Sequence, residues 1–162
     1  MKLINSSAHI IEDNYIDEID LQSSINARQE SLLNKVFRSI EIAGRTCYKS
    51  ESKITSTSAQ EFVDRMIKSG HNAMLEHGTV YLIIDNETPK GKYMDNKYSE
   101  VKLRYHGCYK PIYYITTNYR VLVENNWLED LKYMSGPTEF HEKRVMVRFI
   151  IDRGVSHKQF VA

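Results

Sequence analysis

Apolar residues Leu32, Leu33, Val36, Phe37, Ile40 and Ala43 recur every three or four positions, with Arg28, Glu30, Asn34, Arg38 and Glu41 between them. This is the repeat of a helix with one buried face. The spacing predicts a helix over residues 27–44 that stops at Gly44 and releases the chain into Arg45-Thr46-Cys47-Tyr48. A loop rich in Ser and Thr follows. Thr57 or Ser58 is placed to cap a second helix, with Glu61 and Asp64 in its first turns and Phe62, Val63, Met66 and Ile67 on its apolar face. Lys68 and Gly70 end that helix, so His71 opens the next loop.

The period then changes. Thr79 to Asp85 is rich in β-branched and aromatic residues, and Arg144 to Asp152 repeats that character, with Val145, Val147, Phe149 and Ile151 on one face and Arg144, Met146, Arg148 and Ile150 on the other. Both segments read as strands. Gly154 breaks the second, and Ser156 is placed to cap a short terminal helix carrying His157, Gln159 and Phe160. Residues 86–142 lie between the strands and are dense in Tyr, Lys and Asn. They hold strand-like stretches at 111–117 and 119–123 and a short helical pattern at 127–133. Turn signals at 86–91 and 135–138 predict that this stretch protrudes as a β-rich subdomain.

Composition narrows the class. A chain of 162 residues is one domain by length, spanning 1–162. Hydrophobic residues at 41%, charged residues at 27% and a formal charge of +1 favour neither a disordered chain nor a strongly basic nucleic-acid binder. The first residues lack a signal-peptide pattern, and no apolar run approaches the roughly 20 residues of a spanning helix. The expectation is a soluble, cytoplasmic protein with no membrane partner. Cys47 and Cys108 are far apart in sequence and are expected as free thiols in a reducing compartment. Tyrosines 93, 98, 105, 109, 113, 114 and 119 alternate with basic residues, a pattern that could stack on bases; interleaved acids favour packing or subunit contact instead.

Gly70-His71-Asn72-Ala73-Met74-Leu75-Glu76-His77 concentrates the chemistry. His71, Glu76 and His77 are possible metal ligands, although the spacing matches neither an H-E-x-x-H helix nor a zinc finger. The same residues serve equally to cap and cross-link a loop. Cys47, near Arg45 and Lys49, suggests an activated thiolate, but a lone cysteine is more commonly an inert packed thiol.

Three segments together carry a resemblance: Arg45-Thr46-Cys47-Tyr48, Gly70 to His77, and Asp152-Arg153-Gly154-Val155-Ser156-His157-Lys158-Gln159-Phe160-Val161. In this order they resemble the flavin-dependent thymidylate synthases. The resemblance covers residues 27–85 and 144–161 and implies an α+β fold with a central, mostly antiparallel sheet and flanking helices. It implies FAD as cofactor, with His71, Ala73, Glu76 and Cys47 at flavin-side positions and Gln159, Phe160 and Val161 at substrate-side positions. Ala73 stands where the family has Ser or Thr, which removes one hydroxyl from the cofactor's side. The implied reaction is reductive methylation of dUMP to dTMP, with NADPH as hydride source, methylenetetrahydrofolate as carbon donor and a homotetramer as the assembly. No residue of this chain is assigned a catalytic role. The family continues past this point into an Arg-His-Arg stretch, whereas Ala162 occupies the first Arg position, so the chain is expected to be an N-terminal portion without turnover alone. Two other expectations stand beside it: a non-catalytic binding or self-assembly module using the β-rich stretch, and a small metal hydrolase built on His71, Glu76 and His77.

Overall fold

A computed structural model of the protein describes residues 5–11, 25–85, 90–105 and 110–151. The fold is α+β, with two small antiparallel sheets. Contacts gather the chain into two compact units, Tyr15–Lys143 and Met1–Asn14 with Arg144–Ala162.

In the larger unit the first helix, α1, spans Ile25–Cys47, three residues past the predicted stop. Gly44 does not end it. The stop comes at Lys49, whose φ of 51° is left-handed, with Ser50 N–H donating to the Arg45 carbonyl at 2.8 Å and Lys49 N–H to the Thr46 carbonyl at 3.3 Å. These paired bonds satisfy carbonyls that a helix end otherwise leaves open. Leu32, Val36, Phe37 and Ile40 form the buried face of α1, as the spacing predicts. Helix α2, Ser58–Lys68, buries Phe62, Val63 and Met66 against it. The predicted cap is not made in the usual way: Thr57 makes no side-chain cap bond, and Ser58 Oγ accepts the Thr55 N–H at 2.9 Å while donating to Glu41 Oε1 at 2.7 Å.

Strand β2, Thr79–Ile84, alternates with Val80, Leu82 and Ile84 buried. After helix α3 (Lys90–Met94) and strand β3 (Glu100–Arg104), strand β4 (Ile112–Asn118) enters between β2 and β3, antiparallel to both. Its register sets Leu82 opposite Ile115 and Val101 opposite the same residue. The described part of residues 86–142 thus supplies two of the three strands of this sheet, β4 in its middle and β3 at its edge. Tyr113 to Asn118 are all buried, and Tyr93 and Tyr119 join the core, whereas Tyr98 and Tyr105 are exposed. Tyr119 to Val123, strand-like by composition, forms helix α4 (Tyr119–Glu124), because Asn118 Oδ1 accepts the Val121 N–H at 3.0 Å and caps it. The short helix predicted at 127–133 is present as a 3-10 helix, Leu128–Tyr133. The chain then runs along the outer edge of β2, where Met134 bridges Leu82 and Ser135 N–H donates to the Tyr81 carbonyl at 2.9 Å.

The smaller unit contains strands β1 (Ser7–Ile11) and β5 (Met146–Ile150), paired antiparallel with Ser7 opposite Ile150 and Ile11 opposite Met146. The two strands predicted on either side of residues 86–142 thus belong to different sheets. The apolar stripe marked by alternation faces outward: Val145, Val147 and Phe149 are exposed, and Met146 and Ile150 are the better-covered pair. A two-stranded ribbon has one layer and cannot bury both faces by itself.

Candidate functional site

Two helix ends build the site. Helix α2 closes as α1 does: Gly70 takes a φ of 70°, Gly70 N–H donates to the Ile67 carbonyl at 3.1 Å, and His71 N–H donates to the Met66 carbonyl at 2.9 Å. Glycine suits that position because it carries no Cβ to clash there. The motif delivers His71 at the end of α2 as the α1 motif delivers Tyr48 at the end of α1. The two side chains meet, with Tyr48 Oη 3.2 Å from His71 Nδ1 and the rings 29° from parallel at a centroid distance of 6.4 Å.

Residues Asn72–His77 wind into a 3-10 turn whose Leu75 is fully buried and anchors it to the core. That anchoring leaves Ala73, Glu76 and His77 on the exposed side. Helix α4 supplies the facing wall. Arg120 Nη1 donates to Glu76 Oε1 at 2.5 Å and Arg120 Nε to Glu124 Oε1 at 2.8 Å, while Asn72 Nδ2 reaches the same Glu124 oxygen at 3.2 Å. The bonds from Arg120 hold the Glu124 carboxyl below the usual carboxylate range and, through Glu124 first and Glu76 second, raise the guanidinium above its own. Asn72 Oδ1 is buried without a hydrogen-bond partner among the described residues. These elements border an open hollow of about 390 Å³, lined by Tyr48, Gly70, His71, Asn72, Ala73, Met74, Arg120 and Glu124.

The structure thus brings His71, Ala73 and Glu76 to one wall, with His71 and Ala73 lining the hollow and Glu76 held beside it by Arg120. Cys47 is exposed at the end of α1 and is not among the lining residues. Arg45 turns away into the interior, where its Nε donates to the fully buried Glu41 at 2.7 Å. Gln159, Phe160, Val161 and Cys108 lie outside the described residues. His71, Glu76 and His77 do not converge: among the described residues no three His, Cys, Asp or Glu side chains are grouped to hold a metal ion. No helix among them is long and apolar enough to cross a membrane.

Arg120 and Glu124 are the site residues that sequence reading misses. Their signal is present, since Asn118 precedes them as a cap and Glu124 follows Arg120 by one helical turn. Compared with protein-family models, with curated proteins and with solved structures, the chain matches none.

Proposed function

We propose that this chain supplies one wall of a flavin site of the flavin-dependent thymidylate synthase type. The observation that carries the reading is the hydrogen bond between Tyr48 and His71, 23 positions apart in sequence. Two of the segments that resemble the family meet there. The fit to a flavin divides in two. The rings of Tyr48 and His71 and the bare methyl of Ala73 offer a surface against which a planar ring system packs. The phosphates do not fit here. Arg120 is the cation among the lining residues, and Glu76 and Glu124 already share it. His71, Asn72, Ala73 and Tyr48 would therefore lie along the ring, while the dinucleotide's charge is carried elsewhere.

A bound flavin supplies the hydride in this chemistry; the protein's part is to orient it and keep its ring desolvated. In this reading dUMP, NADPH and methylenetetrahydrofolate are the other ligands and a homotetramer the assembly. The test is to mix the purified chain with FAD, follow quenching of flavin fluorescence, and ask whether flavin co-elutes on gel filtration. Retention is expected, with His71→Ala weakening it about tenfold, equivalent to roughly 1.4 kcal/mol. A wild-type chain that retains no flavin overturns the proposal.

A second reading, self-assembly without catalysis, draws on a different observation: Ile10, Val147 and Phe149 form an exposed apolar face on β1 and β5. Its partner in that reading is a second copy of the chain. Sedimentation velocity of the wild type and of Phe149→Ser tests it, since a monomer at all concentrations leaves nothing to explain.

A further inference from the structure

Tyr48 makes the one side-chain hydrogen bond to the His71 ring among the described residues. We propose that Tyr48 is a positioning residue that fixes the tautomer of His71, so that His71 Nε2 carries a proton and donates to an acceptor atom on the planar ligand of the hollow. The proposal rests on the flavin reading for its ligand and on geometry for its tautomer.

Both ends of the Tyr48–His71 bond are held by backbone. Tyr48 N–H donates to the Gly44 carbonyl at 2.9 Å, and the left-handed Lys49 behind it locks the exit of α1. His71 is held by its own N–H on the Met66 carbonyl. The phenol oxygen lies 3.2 Å from Nδ1, within hydrogen-bond reach of that nitrogen's lone pair or N–H. A phenol is a far stronger acid than a neutral imidazole N–H, and an imidazole lone pair is a better acceptor than a phenol oxygen, so Tyr48 O–H donates and Nδ1 accepts. Neutral imidazole with a bare Nδ1 must carry its hydrogen on Nε2. Because the pair is exposed, the bond adds little to folding; its consequence is the choice of nitrogen offered to the hollow.

The experiment uses the full chain labelled with ¹⁵N-histidine, at a pH high enough that the ring shifts no longer change with pH, with His71 assigned by the loss of its signals in His71→Gln. Long-range ¹H–¹⁵N correlation is expected to show a bare Nδ1 and a protonated Nε2. In Tyr48→Phe, which keeps the ring, both nitrogens should move toward tautomer-averaged shifts while the melting temperature stays the same. A protonated Nδ1 in the wild type, or shifts unchanged in Tyr48→Phe, overturns the proposal. FAD titration separates the two readings: Tyr48→Phe should weaken binding about fivefold, one net hydrogen bond. Equal affinity for both proteins overturns the positioning role. Failure of the wild type to bind FAD overturns the flavin reading instead, and the nitrogen shifts still decide the tautomer.

Discussion

Gly44 lies against the ring of Phe62, so close that a Cβ built on it would stand 2.5 Å from Phe62 Cζ and 2.7 Å from Cε1. Mid-helix glycine ordinarily costs about 1 kcal/mol relative to alanine. Here it is the residue that lets α1 and α2 approach. The ring has nowhere to go, since it is buried and flanked by the guanidinium groups of Arg45 and Arg65 at 5.1 and 5.6 Å from its centroid. Gly44→Ala should therefore lower stability by about 1–2 kcal/mol despite the gain in helix propensity. A fall in urea midpoint with unchanged slope is the expected result; equal or higher stability would refute the contact.

Glu41 is fully buried and accepts from Arg45 and Ser58, with Arg38 3.6 Å from its other oxygen. Glu41→Leu should cost about 3–5 kcal/mol, because it leaves the Arg45 charge inside without a partner. The double variant Glu41→Leu/Arg45→Met should recover most of that loss. Chemical denaturation of both variants checks the pair, and additivity of the two changes would contradict it.

Arg120 is a third exposed, so its two ion pairs should add no more than about 1 kcal/mol to global stability. Their effect is local. In Arg120→Ala the melting temperature should barely move, while the Gly78 amide, bonded to the Leu75 carbonyl at 3.2 Å, exchanges several-fold faster as the 72–77 turn loosens. Unchanged exchange at Gly78 would show that the turn is held by Leu75 alone.

His141 sits between the rings of Tyr81 and Tyr114, its Nδ1 accepting the Thr138 N–H at 3.1 Å and its Nε2 donating to the Leu82 carbonyl at 3.2 Å. Burial, and secondarily the charge of Lys102, lower its pKa below the ordinary 6.5, although the bond to Leu82 pulls the other way. A histidine held neutral in the fold binds fewer protons than in the unfolded chain. Its contribution to stability is therefore complete above pH 6.5 and is lost as pH falls below that value toward the folded-state pKa. Urea midpoints measured between about pH 7.5 and pH 5 should decline, and His141→Gln should flatten that decline. An equal slope in the variant would assign the acid sensitivity to other groups.

The faces of α1, α2 and β2 are legible in the sequence because each has one buried side, and burial of one side imposes a period. Phe37, Val63 and Leu82 fall where that period puts them. The end of α1 is not legible, because a lysine takes the left-handed position that glycine usually marks. Helix α4 is missed because Tyr119, Val121 and Val123 have strand-like side chains, and a single capping bond from Asn118 outweighs that preference. In β5 the alternation is real but its sense is reversed, since the number of apolar residues on a face does not say which face is covered. Of the site, His71, Ala73 and Glu76 come from a motif; Arg120 and Glu124 carry the local signal of a capped helix, but their bonds to Glu76 and Asn72, 44 and 52 positions away, are encoded by no local pattern.

Because β4 pairs with both β2 and β3, neither earlier strand has a neighbour until the polypeptide has been synthesised through Asn118. During translation two open ladders must wait, each a template for wrong partners, and a stop between Arg104 and Ile112 would leave them waiting permanently.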